Sequence, residues 1–253
     1  MFRRFVMSCS IISALLLLIT GSTYALSFTD NFDDQAFTVN NWQIVSNTWS
    51  FTTIDGSTTP IDYGFRGEYT DDNAIAIADN SNLFNYLNLS ISTELSIQNR
   101  LIYESGTTPK DEGGTIAFAD FVGGESIFAS LFYSHDTNEW IHGAGIGTND
   151  GDQIERSISG IEYDRFFYLD LAVDGNGIIT SNLFDDTGAL ISTIVESNGS
   201  ILSNGIVGIV SDADTTFNNF SAAAPVPEPA TMLLLGTGLV GLAGAGRKKI
   251  FKK

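Results

Sequence analysis

Between Leu26 and Ala224 the apolar residues either alternate with polar ones or form short runs, and no stretch keeps a 3.6-residue period long enough for a helix. Phe167, Leu169, Leu171 and Val173 alternate with Phe166, Tyr168, Asp170 and Ala172, which predicts a strand with one buried face. Asp174-Gly175-Asn176-Gly177 turns the chain into a second strand over Ile178–Phe184. Asp185-Asp186-Thr187-Gly188 turns it again into a third over Ala189–Val195, so a three-strand meander is expected. Ala74–Ala78, Thr115–Phe121 and Ile127–Tyr133 are almost wholly apolar or small, as befits central strands covered on both faces.

Candidates of this kind number about twelve to fourteen, more than an open sheet holds without curling. Two packed sheets in a jelly-roll sandwich are the predicted all-β architecture. No internal repeat and no linker interrupts the body, so residues 26–222 are expected to form one β-sandwich domain.

The ends of the chain follow other patterns. Arg3 and Arg4 precede a short apolar run from Ile11 to Ile19, and Thr23-Tyr24-Ala25 places small residues at −3 and −1 of a cut before Leu26. Residues 1–25 therefore read as a secretory signal peptide cut after Ala25. At the other end, residues 223–229 form a proline-rich linker that holds three of the chain's five prolines. Residues 230–246 are uncharged and Gly-interrupted, and a helix of that length spans about 25 Å, at the short limit for a bilayer core. The basic tail over 247–253, with Arg247, Lys248 and Lys249 at its start, is expected on the cytoplasmic side.

Charge sharpens this division. The formal net charge is −18, but seven of the twelve Lys and Arg lie in the two end segments. The stretch from Leu26 to Ala224 keeps five basic and 29 acidic residues, a net of −24. Such a body repels nucleic acid, whose binding depends on Lys and Arg neutralising phosphates. Cys9, the one cysteine, lies in the signal segment, so the body has no disulfide framework and no thiol chemistry.

Val226-Pro227-Glu228-Pro229-Ala230-Thr231, the apolar segment and then Arg-Lys-Lys resemble the PEP-CTERM protein-sorting domain over residues 225–249. The resemblance implies an exported protein of a Gram-negative bacterium that makes exopolysaccharide. Its partner would be an exosortase-type membrane processing enzyme that reads Pro227, Glu228 and Pro229 and removes the membrane segment. The precursor would be anchored in the inner membrane by the C-terminal helix, and the product would lie at the cell surface or in the extracellular matrix.

The body resembles the concanavalin A-like lectin/glucanase superfamily. Phe28-Thr-Asp-Asn-Phe32-Asp33, Trp42, Asn47-Thr-Trp49-Ser-Phe51 and Asp55-Gly56 look like its first strands. Gly205-Ile-Val-Gly208-Ile-Val-Ser211 and Thr216-Phe217-Asn-Asn-Phe220 look like its last. The resemblance implies that first and last strands pair.

Chemistry is thinner. Glucanases of that superfamily carry Glu-x-Asp-x-Glu or a close variant on one strand, and glycoside hydrolysis needs two placed carboxylates. Glu162-Tyr-Asp164 is the nearest match here, and it lacks the third acid, so both are read as solvated loop acids. No Gly-x-Ser-x-Gly elbow exists for a serine triad. His135 and His142 flank a predicted hairpin tip and are expected at the surface, too few for zinc. Asp30, Asp33 and Asp34 near the first strand and Asp212 and Asp214 before the last would converge if those strands pair. They make structural calcium the one cofactor to test. Trp140, Phe166 and Tyr168 are the candidate stacking residues for an extracellular polysaccharide. The expected function is non-enzymatic, a structural or glycan-binding sandwich, with a carbohydrate-active hydrolase on the same fold as the alternative.

Overall fold

The computed structural model describes residues 26–46, 48–53, 63–68, 74–78, 84–85, 88–98, 112–120, 125–147, 153–197, 204–211 and 215–224. The expected signal peptide, proline linker, membrane segment and basic tail lie outside them, as do Asp212 and Asp214. Among the described residues no helix is long and apolar enough to cross a membrane.

The described chain forms sixteen strands and one short helix. In chain order these are β1 (Leu26–Asp30), α1 (Gln35–Asn41), β2 (Trp42–Ser46), β3 (Thr48–Thr53), β4 (Tyr63–Glu68) and β5 (Ala74–Ala78). Next come β6 (Phe84–Asn85), β7 (Ser90–Ile97), β8 (Glu112–Asp120), β9 (Glu125–Ser134), β10 (Glu139–Gly147) and β11 (Gln153–Ile158). The last are β12 (Phe166–Val173), β13 (Ile178–Phe184), β14 (Leu190–Ser197), β15 (Asn204–Ser211) and β16 (Thr215–Ala224).

The strands make two antiparallel sheets. The first has the order β14-β13-β12-β7-β16-β4-β3, with β1 also on β16. The second runs β11-β10-β9-β8-β15-β5-β2, with β6 also on β15. The fold is thus the expected all-β two-sheet sandwich. The three apolar runs became β5, β8 and β9, all interior to the second sheet. First and last strands pair, from Leu26 opposite Ala224 to Asp30 opposite Phe220. The sandwich extends through Ala224, two residues past the expected boundary at 222.

The meander holds as β12–β13–β14, and its turns show why. Asp174 Oδ1 accepts from the backbone N–H of Asn176 at 2.8 Å and of Ile178 at 2.9 Å. Asp185 Oδ1 does the same for Thr187 at 2.9 Å and Ala189 at 2.8 Å. These bonds hold both carboxyls below the usual range, led by Ile178 N–H for Asp174 and the Thr187 hydroxyl for Asp185. Gly188 takes φ of +81°, a left-handed conformation that a side chain resists.

One expectation fails. No helix was predicted, yet Gln35–Asn41 is helical. Asp34 caps it by accepting from Phe37 N–H at 3.1 Å. Seven residues are too few to show a 3.6-residue period, and only Thr38 is buried.

The core between the sheets is densest around Trp42. Its ring lies 5.1 Å from Phe220, 5.4 Å from Phe28, 5.7 Å from Phe32 and 6.1 Å from Phe65. Asp30 is buried beside it and accepts from Trp42 Nε1 at 2.8 Å and from Phe32 N–H at 2.7 Å. The second bond helps hold Phe32 at φ of +62°, where a bulky residue is strained.

Candidate functional site

Alternation along the strands sorts side chains to the core or to an outer face. In β12, Phe167, Leu169, Leu171 and Val173 are buried in the core, so Phe166, Tyr168, Asp170 and Ala172 face outward, all half-buried. Register extends this outward set across the first sheet in three rows. Phe184, Tyr168, Glu94 and Asn218 make one row. Thr193, Asn182, Asp170, Ser92 and Ser221 make the next. Phe166, Ser96, Thr216, Arg66 and Ser50 make the third. Aromatic rings, carboxylates, amides and hydroxyls therefore share one face.

The centre of this face is built by a bulge. Between Asn218 and Ser221 the register of β16 against β7 shifts, and Asn219 has φ of +49°. Regular alternation would send consecutive side chains to opposite faces; the bulge re-aims them. Asn218 Nδ2 donates to Glu94 Oε2 at 3.0 Å, and Asn219 Nδ2 donates to the same oxygen at 2.9 Å. Tyr168 completes the group: the adjacent Glu94 charge, burial and a hydrogen bond to Glu94 raise its phenol above the ordinary value. Burial also raises the Asp170 carboxyl, against a hydrogen bond from Ser92 that favours the ion. Asn182 accepts from Thr193 Oγ1 at 2.9 Å.

Of the three candidate stacking residues, Phe166 and Tyr168 lie on this face and Trp140 does not. Trp140 packs against the core side of β10, beside Tyr163 at 4.8 Å and Tyr133 at 5.3 Å. Alternation within each strand groups the three, but it does not say which sheet a strand joins, and β10 and β12 lie in different sheets.

His142 corrects a second expectation. It is fully buried, not on a surface hairpin, because it shares the inward parity of Trp140 and Ala144 on β10. Its Nδ1 lies 2.9 Å from Ser192 Oγ on β14, and its Nε2 lies 2.8 Å from Ser181 Oγ on β13. The ring thus bridges the two sheets through the core. Burial, helped by the Arg156 guanidinium, lowers its pKa to about 4. A serine held by histidine is a nucleophile only where substrate reaches it, and Ser181 and His142 are closed to solvent. His135 lies 5.0 Å from the ring of Tyr133.

The candidate calcium ligands are placed apart in role. Asp30 has both oxygens engaged by the Trp42 and Phe32 N–H groups, and Asp34 caps α1. Asp33 Oδ2 accepts from Asn31 Nδ2 at 2.8 Å. Among the described residues no three His, Cys, Asp or Glu gather as metal ligands, and Asp212 and Asp214, the other two of the expected set, lie outside those residues. Glu162 and Asp164 are exposed in the loop before β12, where Glu162 pairs with Arg165 at 3.4 Å.

Glu94, Asp170, Asn182, Asn218 and Asn219 were missed in the sequence. The one available signal was Asn218-Asn219, two amides side by side in a strand where alternation should separate them.

Similar folds are found among solved structures. A protein of unknown function from Shewanella oneidensis MR-1 matches with TM-score 0.53 and 12% identity, over 85% of this chain and 94% of that one. A legume lectin-like domain from Entamoeba histolytica matches with TM-score 0.51 and 11% identity, over 78% and 94%. Peanut lectin matches with TM-score 0.50 and 10% identity, over 80% and 98%. At such identities the likeness establishes the fold alone. No curated protein matches the sequence. Residues 225–248 match the model of the PEP-CTERM protein-sorting motif, so this chain joins that motif to a sandwich of the legume-lectin, concanavalin A-like kind.

Proposed function

We propose that the chain is an exported, non-enzymatic surface protein whose sandwich binds carbohydrate on the outer face of the first sheet. The signal peptide over residues 1–25, cut after Ala25, starts export. Residues 230–246 then hold the precursor in the inner membrane, with Arg247, Lys248 and Lys249 inside. An exosortase-type enzyme reads Pro227, Glu228 and Pro229 and releases the body to the cell surface or polysaccharide matrix. The matched motif supports this route.

The observation that carries the binding reading is the face itself. Phe166, Tyr168 and Phe184 stand beside Glu94, Asp170, Asn182 and the paired amides of Asn218 and Asn219. Sugars present apolar faces that stack on rings and hydroxyls that pair with such groups. Phe166→Ala combined with Tyr168→Ala is expected to weaken glycan binding at least about tenfold on a glycan array and by calorimetry, a ratio equal to about 1.4 kcal/mol. Unchanged binding would remove this face as the site.

A hydrolase is the second reading, favoured by Glu94 and Asp170 sharing one face, since glycoside hydrolysis uses two carboxylates. Release of reducing sugar that stops in Glu94→Gln or Asp170→Asn would establish it. The sorting step has its own test. Deleting Pro227-Glu228-Pro229 is expected to leave full-length protein in the membrane fraction, and normal release of that variant would overturn the route.

A further inference from the structure

We propose that the outer face of the first sheet selects an uncharged glycan and rejects uronic-acid polymers, and that Glu94, Asp170 and the Asn218–Asn219 bulge set that choice. The inference rests on carbohydrate binding by this face, and it adds the class of sugar.

The first observation is charge. Glu94 and Asp170 stand on adjacent rows, next to Tyr168 and Ser92, and neither faces a cation across its pairs. Arg165, just before Phe166, is held at 2.6 Å by Asp186 and at 3.4 Å by Glu162. Arg66 lies in the third row, between Thr216 and Ser50. A uronate laid along Tyr168 and Asp170 would bring its carboxylates against two fixed ones. Recognition of an anionic sugar would instead call for an Arg fork.

The second observation is acceptor supply. Asn218 is only 5% exposed, and its Oδ1 is buried with no hydrogen-bond partner while its Nδ2 is committed to Glu94. An amide held in this way is short of one donor. Asp170 is half-buried and takes a hydrogen bond from Ser92, so it too can accept more. The open acceptor positions of Asp170 call for O–H donors, which an uncharged sugar supplies in adjacent pairs. The bulge that brings two amides to one carboxylate sits where β16 passes from pairing β4 at Phe217 to pairing β1 at Phe220, and the Thr93 hydroxyl donates to the Asn218 carbonyl there at 3.0 Å.

The test uses the full-length protein in detergent, titrated with neutral manno- and gluco-oligosaccharides, oligogalacturonates and chitosan oligomers, each in low and in 0.5 M salt (roughly the regime where surface charge is screened). Neutral oligomers are expected to bind at least about tenfold tighter than oligogalacturonates, with little salt dependence. Asp170→Asn, and separately Glu94→Gln, should narrow that gap to within about threefold. Asp170→Asn keeps the shape of the side chain, and circular dichroism checks that both variants are folded. Equal or tighter binding of oligogalacturonates, an unchanged gap in both variants, or tighter chitosan binding in high salt would each overturn the class of sugar and leave carbohydrate binding standing. Absence of binding to every oligomer would instead overturn the parent reading.

Discussion

The outer faces of the two sheets differ most along their central strands. The first presents carboxylates, amides, hydroxyls and rings in its three rows. The second presents rows of another kind: Ser157, Ile141, Phe132 and Gly113 in one, and Gly143, Ser130, Thr115, Val210 and Ile75 in the next. A third holds Gly145, Phe128, Ala117, Gly208 and Ile77. Across β10, β9, β8, β15 and β5 none of these residues is ionisable, and the one carboxylate that the register adds to the three rows is Glu155, exposed on the edge strand β11 opposite Gly143. Ser130, Ile141 and Ile77 are also buried, and Ile141 and Ile77 stand outside the central core cluster. A Cβ on Gly113 would collide with Phe132, so that face is close-packed at Gly113. Away from the edge strands, the carboxylates Glu94 and Asp170 therefore stand on the first sheet's face and have no counterpart on the second.

Matched substitutions give the largest test of this contrast. Ser130→Asp would bury a carboxylate without a partner on the second sheet and is expected to cost about 3 kcal/mol or more. Thr180→Asp on the first sheet, half-buried between Ala172 and Val195, should cost less than about 1 kcal/mol. Urea denaturation compares them. Equal costs would mean that the faces do not differ as described.

His142 tests the space between the sheets. An unfolded histidine takes up its proton near pH 6.5, whereas folded His142 does so only near about 4. Between those values the unfolded chain binds more protons, so this contribution to stability is full above pH 6.5. It is lost as pH falls toward about 4, with a ceiling of about 3 kcal/mol. His142→Gln keeps hydrogen-bonding groups but does not titrate, and its unfolding free energy should vary less across that window than that of the natural protein. Parallel pH curves would show that the buried ring does not carry the effect.

Asp170→Asn should act in the other direction. Its carboxyl is raised, so the folded state holds the proton more tightly, and this site loses stability as pH rises from the unfolded carboxylate value through the folded one. Removing the charge should stabilise the protein at pH 7 by a few tenths to about 1 kcal/mol, the shift being discounted because the group is only half-buried. A carboxylate kept against stability fits a ligand face. Destabilisation on the same substitution would show that Asp170 supports the sheet.

How much of this could be read from the sequence depends on whether the controlling interaction is local. The β12–β13–β14 meander was legible because Asp174, Asp185 and the glycines after them act within five residues. Burial of β5, β8 and β9 was legible because both faces of each are apolar. His142 was not, since its partners Ser181 and Ser192 lie 39 and 50 residues away. Glu94 was not either, because the bulge at Asn218 lies 124 residues on, and no local pattern predicts where two strands lose register. Tyr168 and Phe166 were found by parity, while Trp140 was misplaced beside them because parity within one strand says nothing about which sheet that strand joins.

Calcium gives the smallest expected effect. The sequence places Asp30, Asp33 and Asp34 near one end of a strand pair that does form, while Asp212 and Asp214, expected to converge on them, lie outside the described residues. The side chains answer differently. Asp30 is spent on the Trp42 indole and on the strained Phe32 backbone, and Asp34 on the first turn of α1. Turning Asp30 away from the core toward an ion would strip Trp42 Nε1 of its acceptor, a loss of about 1–3 kcal/mol. Chelation with EDTA is therefore expected to shift Tm by less than about 1 °C. Asp30→Ala, which breaks both hydrogen bonds, should lower it by about 4 °C or more for a domain of this size. A fall of several degrees on chelation would reverse that order and assign the stability of this corner to an ion.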